Sequence, residues 1–320
     1  MDEDWLKVIE YSLAALSILG SFFIILVFLC YKSLRSFQFE CVFYLTVSSL
    51  LTTCAYLIYF VDIKEKQAQN RTLCNAQAFF MVWFENAQYL WGFLIAWSTY
   101  QYVLYFEDNN NKTSFLKRFK YMLIGFGLPL CFAFIALMRG VFGPSIAWCW
   151  FDTSGEITDE KHLEKNLFAV LAYAFMWLTI LSNVFLTVKV VRFLNRNYTT
   201  KWEREITGNY IWKLLRFLVI QVICISPGTI NKLLLIFDVE VYGLEILQLV
   251  MVVSQGFIFA IAYGYNPQVR AVLYKTCAIY CCGCCICNCL KSRRESESSN
   301  SQKLFDRSNN ASESNITFDD

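Results

Sequence analysis

Seven apolar stretches of about 20 residues or more, each with one to three charged residues, lie near residues 8–31, 39–61, 75–106, 119–142, 167–194, 210–236 and 244–265. A helix rising 1.5 Å per residue needs about 20 apolar residues to cross the hydrocarbon of a bilayer, so each stretch has the length of a span. Inside hydrocarbon a helix satisfies its own backbone hydrogen bonds. The expected fold is therefore all-α, a seven-transmembrane helix bundle. Composition agrees. The chain is 57% hydrophobic and 17% charged, where a soluble domain is nearer a quarter charged. The expected organisation is an N-terminus at 1–7, a helical domain at 8–266, a juxtamembrane segment at 267–290 and a disordered tail at 291–320.

Orientation follows from the loops. With the N-terminus outside, eight of the 28 Lys and Arg residues fall on the outer side and twenty on the inner side. The positive-inside rule therefore puts the N-terminus out and the C-terminus in the cytosol, in a multi-pass protein expected at the plasma membrane. The acidic opening MDEDWLKVIE is unlike a signal peptide, which begins with positive charge. A net charge of +2 gives no reason to expect a nucleic-acid partner. Asn70 in Asn70-Arg71-Thr72 is a glycosylation acceptor in the first outer loop.

The third run, CNAQAFFMVWFENAQYLWGFLIAWSTYQYVLYF, is apolar and aromatic and long enough to cross a bilayer with a turn or two left over. Gln77, Glu85, Gln88 and Gly92 follow one another at spacings that keep them on one helical face. Lipid penalises a carboxylate by roughly 2.5–3.5 kcal/mol on insertion scales, so this face must look into protein or a watery cavity. Cys74 opens the run on the oxidising side, and Cys149 lies in the second outer loop. A bridge between them would pin that loop over the bundle.

After Asn266-Pro267, QVRAVLYKTCAIY has helical spacing and enough apolar character for a short amphipathic helix along membrane lipids. CCGCCICNC follows. Zinc is one reading of it, but histidine is absent and the ligands crowd; S-palmitoylation at Cys281, Cys282, Cys284 and Cys285 suits juxtamembrane cysteines better. Ser296, Ser298, Ser299 and Ser301 sit among acids in the tail, as sites for a kinase and for arrestin-like regulators. The basic rim of the third inner loop (Arg196, Lys201, Arg204, Lys213 and Arg216) suits anionic lipid or a cytoplasmic partner helix.

Four motifs, CNAQAFF with the following WF, GFGLP (Gly125 to Pro129), WCWF (Trp148 to Phe151) and SQG…YGYN (Ser254 to Asn266), stand in order on successive spans and loops. In these the chain resembles the cyclic-AMP chemoattractant receptor family of slime moulds, with related plant and protist receptors and secretin/adhesion-like relatives. The resemblance covers about residues 5–275. It implies a G-protein-coupled receptor taking ligand from outside and engaging a heterotrimeric G protein inside. It also implies Cys74–Cys149 as the family's disulfide, with Trp148 and Trp150 packed around it. Two departures stand out. The third span ends QYVLYFED rather than in an acid-arginine-aromatic triplet, and only about ten residues precede the first span. The latter favours a small extracellular ligand within the bundle, cyclic AMP-like or another anionic metabolite.

Glu85, Gln88, Arg139, Lys232 and Trp150 are the candidate ligand-binding residues. In one reading Arg139 or Lys232 meets an anionic ligand group. In the other, Glu85 pairs with Lys232 or an amide and only holds the bundle together. Pro227 and Gly228, in Ser226-Pro227-Gly228, are expected to kink the sixth span, as an activation pivot or a static bend. Gly125, Gly127 and Gly256 are expected to permit close helix approach. The last span holds no lysine for a retinal Schiff base between residues 246 and 265, and the one histidine, His162, lies in a charged outer loop. No enzyme activity, cofactor or metal is expected. A transporter, a channel and a ligand-independent scaffold are the alternatives.

Overall fold

The computed structural model describes residues 3–62, 71–105, 115–144, 148–151, 160–197, 216, 218–231, 234, 241–264, 266 and 269–274. The chain divides into two compact units, Met1–Asn266 and Pro267–Asp320. In the second, residues 269–274 are helical; the cysteine cluster and the serine tail lie outside the described residues.

The first unit opens with α1 (Glu3–Cys30). A 3-10 turn leads into α2 (Phe37–Asp62), and then α3 runs from Arg71 to Tyr105. The burial pattern is that of a soluble protein turned inside out. α1 buries Ser17 and Ser21 completely while Leu19 is 67% exposed, and on the fourth segment Met138 is 72% exposed. α2 buries Thr46, Ser48, Ser49, Thr52 and Thr53. Hydrocarbon solvates leucine as well as a protein core does, so it is the hydroxyls that must turn inward. Most of them satisfy themselves on the preceding turn: Thr46, Thr52 and Thr53 donate to the carbonyls of Val42, Ser48 and Ser49 at 2.8, 2.9 and 3.1 Å.

The fourth segment is built from α4 (Phe115–Met122), a π-helical turn (Leu123–Gly127) and α5 (Leu128–Arg139). GFGLP explains the wide turn. Gly125 admits the edge of Trp91, where a Cβ would stand 2.9 Å from the indole nitrogen. Trp83 Nε1 donates to Phe126 O at 3.0 Å within the same turn, supplying a partner from α3 where the ladder is irregular. Pro129 follows directly on the π turn, in backbone that is right-handed helical on both sides, so its missing N–H removes one donor from the ladder at that turn. The span expected to reach residue 142 stops at Arg139. Gly140 takes the left-handed conformation (φ 65°), its N–H bonds Leu137 O at 3.0 Å and Val141 N bonds Ala136 O at 3.4 Å, a Schellman turn.

The residues released by that turn form the one departure from an all-α fold among the described residues. β1 (Phe142–Pro144) pairs antiparallel with β2 (Cys149–Phe151), with Phe142 opposite Phe151 and Pro144 opposite Cys149. A hairpin this short is unstable alone. It is held by burial of Phe142, Phe151, Trp148 and Trp150 against the Cys74 end of α3.

α6 (Glu160–Asn197) follows, then α7 (Leu218–Asn231), α8 (Tyr242–Val253) and α9 (Gln255–Gly264). α8 and α9 are bent by 43° across Ser254. Four helices are long and apolar enough to cross a membrane, namely Val8–Cys30, Phe37–Ile58, Phe115–Arg139 and Leu163–Leu194, and the α8–α9 pair would be a fifth. α3, at 35 residues, has the length but is too polar for that criterion. α3 packs against α2, α5, α6 and both strands, while α1 packs against α2, α8 and α9. α3 is therefore the axis around which the others are placed.

Candidate functional site: the polar face of α3

At the Cys74 end, the disulfide to Cys149 closes with a Cα–Cα distance of 5.3 Å. One turn further on, the Gln77 side chain is completely buried. Its amide nitrogen donates to Ala55 O of α2 at 3.2 Å, and its oxygen accepts from the backbone N–H of Cys149 at 3.3 Å. A single glutamine thus joins α2, α3 and β2 beside the disulfide. Trp148 stands edge-on to Tyr56 of α2, with centroids 5.8 Å apart. Trp150 is buried, edge-on to Phe151 at 5.2 Å, and its indole nitrogen has no hydrogen-bond partner among the described residues.

Two turns below Gln77, Glu85 is 4% exposed. Its carboxylate lies within electrostatic reach of Tyr56, of Tyr89 on α3 and of Cys224 on α7. Among the described residues it makes no ion pair or hydrogen bond. Tyr173 of α6 lies within electrostatic reach of both Tyr56 and Tyr89, and Gln248 of α8 donates to its hydroxyl at 3.3 Å.

Gln88 and Gly92 complete the face. Gln88 Nε2 donates to Gln255 Oε1 of α9, and Tyr89 and Cys224 lie beside Gln255. The Gln88 carbonyl accepts from Gln221 Nε2 of α7 at 3.3 Å. Gly92 lies directly under the Gln221 amide, where any side chain would collide, and its carbonyl accepts from Asn183 Nδ2 of α6 at 3.4 Å. The four positions read as one face therefore touch α2, the hairpin, α6, α7 and α9.

Arg139 lies apart from this face. Its side chain is 65% exposed at the end of α5, and it pairs with Glu164 of α6 at 3.4 Å. Lys232 and Asn70 lie outside the described residues, as do Cys281, Cys282, Cys284 and Cys285. Across Ser226, Pro227 and Gly228 the helix continues to Asn231. Hydroxyls flanking the proline bond one turn back, Ser226 to Val222 O at 2.6 Å and Thr229 to Ile225 O at 3.0 Å. Gly228 is pressed against the Gln248 amide, with the Cβ position 2.6 Å from Gln248 Oε1, so it sets the approach of α7 to α8.

Sequence reasoning missed Tyr56, Tyr173, Asn183, Gln221 and Gln248 as members of the cluster. A signal existed for Gln221 and Gln248, each an amide embedded in an apolar run. For the tyrosines there was none, since the chain has eighteen.

Comparison with known proteins places this architecture. The family model described as slime mold cyclic AMP receptor matches residues 4–312. The chain is 26% identical over 314 residues to "Cyclic AMP receptor-like protein A" of Dictyostelium discoideum, covering 96% of this chain and 76% of that protein. It is 23% identical over 294 residues to "G-protein coupled receptor 1" of Arabidopsis thaliana, covering 87% and 83%. A shorter match, 29% over 117 residues, covers 37% of this chain and 35% of "Latrophilin receptor-like protein A" of Dictyostelium discoideum. Matched over nearly its whole length, with apolar helices outside and a polar seam within, the chain belongs to the slime mold cyclic AMP receptor family of multi-pass membrane receptors.

Proposed function

We propose that this protein is a G-protein-coupled receptor of the plasma membrane that binds a small extracellular ligand beneath the disulfide-tethered hairpin and activates a heterotrimeric G protein. The observation that carries this reading is the continuous buried polar face of α3. It begins at the hairpin with Gln77 and ends on α6 and α7 at Gly92, with hydrogen bonds to successive helices on the way. Interhelical hydrogen bonds of this kind contribute about 0.6–2 kcal/mol each, small enough to exchange partners when a ligand favours another arrangement. α7 is bonded to this face through Gln221, so a change at Glu85 and Gln88 bears directly on the helix that carries Pro227 and Gly228.

The N-terminus faces outward in this reading, with glycan on Asn70, acyl chains on the Cys281 to Cys285 cluster, and kinase or arrestin-like regulation at the tail serines. Cyclic AMP, named in the matching family, is the first compound to test. The experiment is a second-messenger readout in cells expressing the chain, screened with cyclic nucleotides and other small metabolites, with ion current recorded in parallel. Ligand-dependent G-protein activation lost in Gln88→Leu supports the proposal. Current without G-protein activation would instead identify a channel.

A further inference from the structure

One stripe of α6 changes character along its length. Leu178, Leu181 and Phe185 are between 58% and 64% exposed. Lys189, Arg192 and Arg196 continue the row at spacings of four, three and four, and all three are exposed. At 3.6 residues per turn these six positions fall within an arc of about 80°. The opposite side of the helix carries Asn183, Thr187, Val190 and Leu194, all buried. The stripe is therefore the outward face of α6, apolar over its first half and cationic over its second.

Membrane depth follows from the same helix. No charged residue lies between Lys165 and Lys189, a rise of about 36 Å, enough to cover the roughly 30 Å of hydrocarbon. Lys189 thus stands where hydrocarbon gives way to headgroups. Its ammonium lies 4.6 Å from the centre of the Phe185 ring and 6.0 Å from that of Tyr100 on α3. Tyr100 stacks on Trp97 with centroids 5.8 Å apart, and Trp and Tyr are the aromatics that gather at this depth. A lipid lying along the stripe would set its acyl chains beside Leu178, Leu181 and Phe185 and its headgroup beside the cations. From Lys189 to Arg196 the helix rises about 10 Å, more than one phosphate covers and a match for a headgroup that carries several. Arginine forks take phosphate oxygens in pairs.

We infer that this stripe of α6 is the binding site of an inositol phospholipid with a multiply phosphorylated headgroup. The inference needs the membrane placement that family membership supplies, and neither the extracellular ligand nor the G protein proposed above. On its inner side the same helix donates Asn183 Nδ2 to Gly92 O at 3.4 Å, so a lipid held on the outer side would brace α6 against α3.

The test titrates the purified full chain in detergent with phosphatidylinositol bisphosphate, phosphatidylserine and phosphatidylcholine, and counts bound lipids by native mass spectrometry. The inositol lipid is expected to bind at least about tenfold more tightly than phosphatidylserine, with phosphatidylcholine weakest. Each cation beside an anionic surface changes affinity about five-fold, so Lys189→Gln, Arg192→Gln and Arg196→Gln together should weaken the inositol lipid about 100-fold. Lys189→Arg, Arg192→Lys and Arg196→Lys together should stay within about tenfold of wild type, which separates loss of charge from loss of fold. Lys117→Gln, Arg118→Gln and Lys120→Gln on α4 remove as much charge elsewhere and should leave most of the affinity. The inference is overturned if the inositol lipid binds no better than phosphatidylserine, or if the α6 glutamine variant binds it as wild type does. It is also overturned if the charge-keeping variant or the α4 variant loses as much as the α6 glutamine variant. Soluble inositol trisphosphate binding as tightly as the lipid would overturn it too, since the acyl chains would then contribute nothing.

Discussion

Replacing Gly20 by alanine should separate the first and last helices of the bundle. A Cβ at Gly20 would stand 2.9 Å from Gly256 O, 2.9 Å from Phe257 Cα and 3.0 Å from Ala260 Cβ. None of these atoms ends a flexible side chain, and carbon atoms in good contact lie about 3.5–4.0 Å apart. α1 and α9 must therefore part by roughly 0.5–1 Å, an overpacking cost of about 1–3 kcal/mol. The same movement strains the bond from Gly256 N to Ser17 Oγ, now 3.0 Å, and the Ser17–Thr53 contact at 3.3 Å beyond it. Gly264→Ala is the control, since a Cβ there meets nothing within 4 Å. Unfolding can be followed in detergent by thiol labelling of Cys41 and Cys224, both buried, after exposed Cys30, Cys54, Cys131 and the tail cysteines have been blocked. Gly20→Ala should expose those thiols at a temperature lower by about 2–10 °C, using the scaling of chains this size. If Gly20→Ala and Gly264→Ala melt together at the wild-type temperature, α1 and α9 do not meet as described.

Other consequences are equally direct. Cys149→Ser opens a loop closed over a sequence separation of 75 residues, an upper estimate of about 4 kcal/mol from chain entropy; it should lower the melting temperature more than Gly20→Ala and be mimicked by reductant on the wild type. Trp83→Phe keeps the ring but removes the donor to Phe126 O, so a loss of about 1 kcal/mol in the same melting assay is expected, and no loss would mean the π turn needs no partner. Arg118→Ala breaks the 3.2 Å pair with Glu40, yet with Arg118 half exposed the change should stay under about 1 kcal/mol; a larger drop would show that this pair is shielded from solvent.

The all-α class and the positions of the described helices were legible because hydrocarbon imposes length. The boundaries of α2, α5 and α9 follow the apolar runs to within a few residues, and the shared face of Gln77, Glu85, Gln88 and Gly92 follows from helical spacing alone. The hairpin was not legible. Its strands are three residues each, too short for an alternating pattern, and it exists because Gly140 ends α5 early and Cys74 captures Cys149. Gly92 and Gly228 could be read as permissive positions, but not as seats for the amides of Gln221 and Gln248 on other helices. Those are facts of register between helices, which a single sequence encodes only through the whole packing. Arg139 shows the same gap in reverse. Its place at the end of a span suggested a pocket, and Glu164, twenty-five residues away, claims it instead.

The way this bundle is held together bears on how it can signal. Its lipid-facing side is apolar, and lipid offers no hydrophobic penalty that would drive helices to associate. Cohesion must come from close packing at Gly20, Gly125 and Gly256 and from the polar seam of α3. These two kinds of contact respond differently to a ligand. Glycine contacts are set by backbone shape and have no alternative partner, so they fix α1 and α9 against each other and the fourth segment against Trp91. The amides do have alternatives: Gln88, Gln221 and Gln255 each carry both a donor and an acceptor, and Gln88 Oε1 and Gln255 Nε2 have no partner among the described residues. Glu85 lies about one helical turn from Gln88 on α3. The part of the structure able to rearrange is thus the α3–α7–α9 amide cluster, while the glycine-packed rim serves as the frame against which it moves.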